Sequence, residues 1–107
     1  MIDRARIANE IGLSPEPVDY ILNLFFKETC RRIKAVNDLT NRHAYGEARA
    51  MIHQLLGSCA YCRFEALESA LDELNIAIKT QQNLIPKRIQ QVNSLYAMLE
   101  KEHESIR

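Results

Sequence analysis

The sequence predicts an all-α protein, an antiparallel up-down-up-down four-helix bundle with a short leading N-terminal helix, and three observations carry that expectation. Apolar residues recur at intervals of three and four along four successive segments, the period of a helix that buries one face. Only three glycines and three prolines punctuate 107 residues, too few for the many turns of a strand-rich fold. The breaks between segments are short and polar, which makes consecutive helices antiparallel neighbours. With 47% hydrophobic residues, the chain suits one domain with one core, hiding about two-thirds of the unfolded surface. The expected organisation is a single domain over 1–107: a capping helix in 1–13, the bundle in 14–102 and a charged tail in 103–107.

Asp3 to Ile11 reads as a short helix with Ile7, Ala8 and Ile11 on one side, and Gly12 suits the left-handed residue past its end. Ser14 and Pro15 signal the next start, serine as the cap and proline in the first turn, where its missing N–H costs nothing. A long helix follows to about Asp38. Val18, Ile21, Leu22, Phe25, Phe26, Cys30, Ile33 and Val36 make its inward stripe, with the two phenylalanines as core anchors. Asn41 to Tyr45 is a polar connection, and a second helix runs from about Gly46 to near Arg63. The third, Glu65 to Thr80, turns Leu67, Leu71, Leu74 and Ile78 inward. Its acids cluster in the first half, where they complement the helix dipole. Residues 81–83 break the pattern, with Asn83 as a candidate cap and Pro86 tolerated in the first turn. Ile85, Ile89, Val92, Tyr96 and Leu99 form the last stripe, which gives way to the tail after Glu102.

The helix around residues 47–64, EARAMIHQLLGSCAYCRF, has an ordinary inner face and an unusual outer one. Stepping about 100° per residue, Ala48, Met51, Ile52, Leu55, Cys59 and Cys62 fall in one sector. His53 lies about 150° from the middle of that sector, facing water among Arg49, Ala50, Leu56, Gly57 and Ala60. A glycine inside a helix costs about 1 kcal/mol relative to alanine. Gly57, one turn after an exposed histidine, therefore points to close approach by another molecule. An exposed imidazole, with an ordinary pKa of about 6.5, is largely neutral near pH 7 and keeps a nucleophilic lone pair.

The run His53-Gln54-Leu55-Leu56-Gly57, followed by Ser58-Cys59-Ala60-Tyr61-Cys62, resembles the signature of histidine-containing phosphotransfer (HPt) domains, which relay phosphoryl groups in bacterial two-component systems. The likeness covers most of the chain, with an amphipathic helix containing LFFKE before the histidine helix and two helices after it. It implies a phosphorelay intermediate with His53 as phospho-acceptor and Gly57 as the matching glycine. Its implied partners are response-regulator receiver domains, and a hybrid sensor histidine kinase as a further one. It implies no intrinsic cofactor, since Mg²⁺ is supplied by the partner receiver domain. Two positions depart from the pattern: Leu56 stands where the family usually has lysine, and Arg63 where it has a second glycine. Arg49, one turn before His53, and Lys79 on the third bundle helix are the candidate replacement cations. Ala50, Leu56, Ala60 and Tyr61 are the expected docking residues.

Composition agrees with that setting. Formal net charge is zero and no basic run exists, so the field that nucleic acid or an anionic membrane would demand is missing. No apolar run approaches the roughly 18 residues of a membrane span, and Met1 opens onto Ile-Asp-Arg rather than a signal peptide. Three cysteines, an odd number, suit a reducing compartment. The expected location is the cytoplasm and the expected state a monomer; whether the chain stands alone or ends a larger kinase stays open, with Met1 and the charged tail leaning towards the former. No Gly-rich phosphate loop, carboxylate pair or Ser-His-Asp pattern is present, so the chain reads as a carrier rather than a free-standing enzyme, with no ATP site of its own.

Two other readings compete. A helical adaptor would bind receiver or kinase domains through the Leu56 face without chemistry. Cys59-Ala-Tyr-Cys62 has redox or zinc spacing, but the pair comes late in a helix and on its core side, where small buried hydrophobes are the simpler reading. His43 and His103 are expected to be solvated side chains. Tyr20, Tyr61 and Tyr96 are expected at helix edges, with hydroxyls reaching water or a carbonyl.

Overall fold

Helical periodicity predicts the elements closely. The computed structural model describes residues 2–11 and 15–105, apart from the side chains of residues 10, 11 and 15–17. Among them are five α-helices, α1 (Arg4–Ile11), α2 (Pro15–Asn41), α3 (Tyr45–Cys62), α4 (Glu65–Thr80) and α5 (Ile85–Ser105), with a 3₁₀ turn over Gln82–Leu84 and no strand. Asp3 caps α1, its Oδ1 accepting from the Arg6 backbone N–H at 2.9 Å. The expected left-handed Gly12 and capping Ser14 lie outside the described residues. Pro15 opens α2 and Pro86 lies in the first turn of α5. Asn83 sits inside the 3₁₀ turn instead of at a cap. No helix among the described residues is long and apolar enough to cross a membrane.

Most of each inward stripe is buried, while Ile21, Cys30, Met51 and Ile89 are only half-buried. α2 contributes Val18, Leu22, Phe25, Phe26, Ile33 and Val36, α3 contributes Ala48, Ile52, Leu55, Cys59 and Cys62, and α4 contributes Leu67, Leu71, Leu74 and Ile78. Helices adjacent in sequence pack on each other: α2 on α3, α3 on α4 and α4 on α5. α5 also reaches α2, and α1 lies against α2 and α3. At about 1.5 Å per residue, the 27 residues of α2 account for the 43 Å long axis of the molecule.

α2 runs to Asn41, past the expected end at Asp38, because Leu39 and Thr40 extend its buried stripe. It then stops on a left-handed His43 (φ 58°), as α3 stops on a left-handed Arg63 (φ 60°). Both ends carry the same paired bonds. Ala44 N–H reaches Leu39 O at 2.8 Å and His43 N–H reaches Thr40 O at 3.1 Å; Phe64 N–H reaches Cys59 O at 3.0 Å and Arg63 N–H reaches Ala60 O at 3.2 Å. These bonds satisfy carbonyls that a helix end leaves open. The position is usually glycine, and a residue with a side chain pays about 1–2 kcal/mol there.

The expected charged tail is a correction. α5 continues to Ser105, and His103 is buried at 4% exposure instead of solvated. The reason is periodic: His103 follows Leu99 by four, extending the stripe by one more turn. Its ring stacks on Phe26 with centroids 4.8 Å apart. Nε2 lies 2.7 Å from Asn23 Oδ1 and Nδ1 lies 3.2 Å from Arg4 Nη2. Because a guanidinium can only donate, Nδ1 must accept, so Nε2 carries the proton and donates to Asn23. Arg4 also bonds Asp19 at 2.7 Å. Next to this junction the Ile2 backbone N–H donates to Glu102 at 3.0 Å, and that bond holds the Glu102 carboxyl below the ordinary carboxylate range.

An aromatic cluster lies alongside. Phe64, just past α3, meets Phe25 edge-on at 5.0 Å. Tyr96 is buried instead of lying at an edge, though its hydroxyl does reach a carbonyl: it lies 2.9 Å from Phe26 O and 2.7 Å from Glu100 Oε2. Burial, with the Glu100 carboxylate beside it, pushes the Tyr96 hydroxyl upward in pKa.

Candidate functional site

The outer face of α3 follows from its inner one. With Ile52, Leu55 and Cys59 fully buried, the helix cannot rotate, and the residues opposite them must face solvent. His53, Arg49, Ala50, Gly57, Ala60 and Tyr61 are all exposed. A Cβ built on Gly57 meets nothing within 4 Å. No internal neighbour requires glycine there, and the space beside His53 is open to another molecule.

The two flanks of this face differ. On the α4 side, Arg49 Nε donates to Asn75 Oδ1 at 3.1 Å. Among the described residues Arg49 has no carboxylate at ion-pair distance, whereas Arg4, Arg6, Arg31, Arg42 and Arg88 each meet one. The cation nearest His53 in sequence is therefore locally uncompensated. Lys79 is exposed, one turn beyond Asn75, in the last turn of α4, where a positive charge also favours the helix dipole. Leu56 lies on this flank, half-buried and packed against the core. It offers less free apolar area than its sequence position suggests.

On the α2 side, Gly57 and Tyr61 border a groove of about 580 Å³ between α2 and α3, with Leu24, Phe25 and Arg32 on its far wall. Tyr61 is 54% exposed, Leu24 46% and Tyr20, one turn before Leu24, 68%. Arg32 Nη1 reaches Ser58 Oγ at 3.5 Å across it. Leu56 and Tyr61 thus lie on opposite flanks of this face, about 140° apart around the helix. Tyr61 shares its side with Leu24, an apolar residue off the α2 stripe, and that displacement is the sequence signal for the groove.

Asn75 carries no motif. Counting outward from the two-residue connection of α3 and α4, His53 stands nine positions before Cys62 and Leu74 nine after Glu65. Asn75 comes one position further along, and it meets the histidine helix through Arg49.

The cysteine pair has the character of core. Burial pushes the Cys59 thiol up to about 12, with Cys62 and Glu68 adding to the effect, and burial pushes Cys62 up to about 11. Such thiols hold their protons, while redox attack and metal ligation both need thiolate. Cys30, Cys59 and Cys62 are free, and no cluster of three or more metal-ligating side chains occurs among the described residues. His43 is exposed and bonds the Tyr45 hydroxyl at 2.9 Å.

No family model, curated protein or solved structure matches this chain.

Proposed function

We propose that the chain is a phosphorelay intermediate of the histidine-containing phosphotransfer type, in which His53 accepts a phosphoryl group from a receiver-domain aspartyl phosphate and passes it to another receiver. One observation carries the reading. An exposed histidine stands on the outer face of a helix locked by its core stripe, beside a glycine whose Cβ position is empty and an arginine that no carboxylate among the described residues neutralises.

The chemistry asks little more of the chain. A ring nitrogen of neutral His53 attacks phosphorus, the new P–N bond forms as the P–O bond to the aspartyl carboxylate breaks, and the bond pair leaves on that carboxylate. The imidazole N–H proton goes to solvent, giving a neutral-ring phosphohistidine, and the onward step reverses these events. Positioning and charge stabilisation dominate such transfers, and the receiver brings the Mg²⁺. On this chain, Arg49 and Lys79 take the place of a lysine at position 56. Gly57, Ala50 and Ala60 leave clearance for the incoming active site, and Tyr61 borders the apolar ground on which the partner rests.

The fold reading goes with it. Successive helices that pack in chain order, with α5 returning to α2, support an antiparallel up-down-up-down bundle of α2 to α5 capped by α1; its place in the cytoplasm and its monomeric state are parts of the proposal. The exposed Tyr20, Leu24 and Tyr61 also favour a second reading, a docking protein that binds receivers without chemistry.

The deciding experiment offers purified phosphorylated receiver domains to the wild type and to His53→Gln. Acid-labile, base-stable label on the wild type alone is the expected result. Label on both would remove His53 from the role; receiver binding with no label on either would establish docking alone.

A further inference from the structure

We propose that Asn75 is a positioning residue for His53, acting through Arg49: it holds the guanidinium beside the phosphoryl site without neutralising it. The inference rests on the phosphotransfer reading above and adds the device by which the site keeps a cation ready.

The argument begins with charge. On this surface arginines are tied by carboxylates: Arg6 to Glu65 at 3.1 Å, Arg42 to Asp38 at 3.0 Å and Arg88 to Glu73 at 3.2 Å. Such partners fix a guanidinium and cancel its field together. Arg49 is fixed differently. Its one hydrogen bond among the described residues runs from Nε to the neutral amide oxygen of Asn75. That bond consumes a single N–H, and both terminal nitrogens keep their N–H groups for the paired contacts a guanidinium makes with phosphoryl oxygens.

The holder is itself held. Asn75 is half-buried, and the α4 turns on either side are anchored by Leu71 at 0%, Leu74 at 1% and Ile78 at 2% exposure. It meets Arg49 across the α3–α4 seam, while Arg49 and His53 are neighbours at i and i+4 on one helix face. A free arginine on an exposed helix would spread over many rotamers; one bond to a rigid neighbour removes much of that freedom before the partner arrives. Aspartate at position 75 would grip Arg49 more firmly but cancel its charge, and alanine would leave the charge but release the grip. Asparagine does neither.

The test uses the whole chain with phosphorylated receiver domains and compares wild type, Asn75→Ala, Asn75→Asp, Arg49→Ala and the Arg49→Ala/Asn75→Ala double variant. Asn75→Ala should slow transfer about three- to tenfold, the scale of one exposed charge-assisted hydrogen bond. Asn75→Asp should also be slow, and the double variant should be no slower than Arg49→Ala alone. Circular dichroism melts should be unchanged throughout. Transfer at the wild-type rate in Asn75→Ala, or a double variant whose loss is the product of the two single losses, would overturn the proposal. A second measurement needs no receiver: the Arg49 Nε–H signal in ¹H–¹⁵N spectra should move and exchange faster in Asn75→Ala, and an unmoved signal would remove the grip itself. Absence of label on the wild type, with the Nε–H signal behaving as expected, would overturn the phosphotransfer reading and the catalytic part of this proposal, leaving a structural contact.

Discussion

His53 and His103 bring the same imidazole into opposite surroundings. His103 is stacked on Phe26 and bonded at both nitrogens to groups from α1 and α2, so its lone pair and its proton are both committed. His53 stands on an exposed face beside an empty Cβ position. On the proposed phosphotransfer reading, the difference is what a carrier would need: a nucleophile whose valences are left open by a scaffold that is itself tightly closed. The junction around His103 is part of that closure, and the α3 face is where it stops.

The largest effect that would sharpen this contrast is on stability. His103→Ala should lose about 2–4 kcal/mol, from the truncated ring and the polar groups of Arg4 and Asn23 left with fewer partners, while its label from a phosphorylated receiver persists at temperatures where the variant is folded. His53→Gln should stay within about 0.5 kcal/mol of wild type and lose the label entirely. Urea melts of both variants beside the labelling assay test the pair, and the contrast breaks if His53→Gln unfolds as readily as His103→Ala.

The next effect lies at the end of α3. Arg63→Gly removes a side chain from a left-handed position and should stabilise the chain by about 1 kcal/mol. A lower melting temperature would mean that the contacts of the Arg63 side chain outweigh the backbone strain. The smallest separates folding from function most finely. Gly57→Ala meets no neighbour and should gain up to about 1 kcal/mol from helix propensity, while transfer from receivers slows because the clearance beside His53 shrinks. A variant that is both more stable and equally fast would show that glycine is not needed for access.

Much of this was readable from the residues. Four stripes at a helical period located the core, and the inner face of α3 placed His53 on the outside because a helix has only one way to bury Ile52, Leu55 and Cys59 together. The resemblance marks position 63 as one where glycine is usual, which leaves open whether the backbone keeps the turn or departs from it; the left-handed Arg63 shows that it keeps a left-handed residue there. His43, which ends α2 in the same way, carried no sequence warning, since histidine at such a position is uncommon. His103 was misjudged because charged neighbours masked the next step of the stripe, and its partners Asn23 and Arg4 lie 80 and 99 positions away. Asn75 was missed for a related reason: a lone polar residue acquires meaning only when the facing helix supplies Arg49.

The α1–α5 junction also bears on how the chain reaches this state. α2, α3 and α4 each pack on the helix next in sequence, contacts with low loop-closure cost that favour rapid folding. The links from Ile2 to Glu102 and from Arg4 to His103 instead span 100 and 99 positions. They become favourable only once α2 and α5 are already side by side, so they form late and open first. Native-state hydrogen exchange should find the amides of α1 and the last turns of α5 opening well below the global unfolding free energy, with those of α3 among the slowest. The helix that carries His53 would then be the most durable part of the molecule.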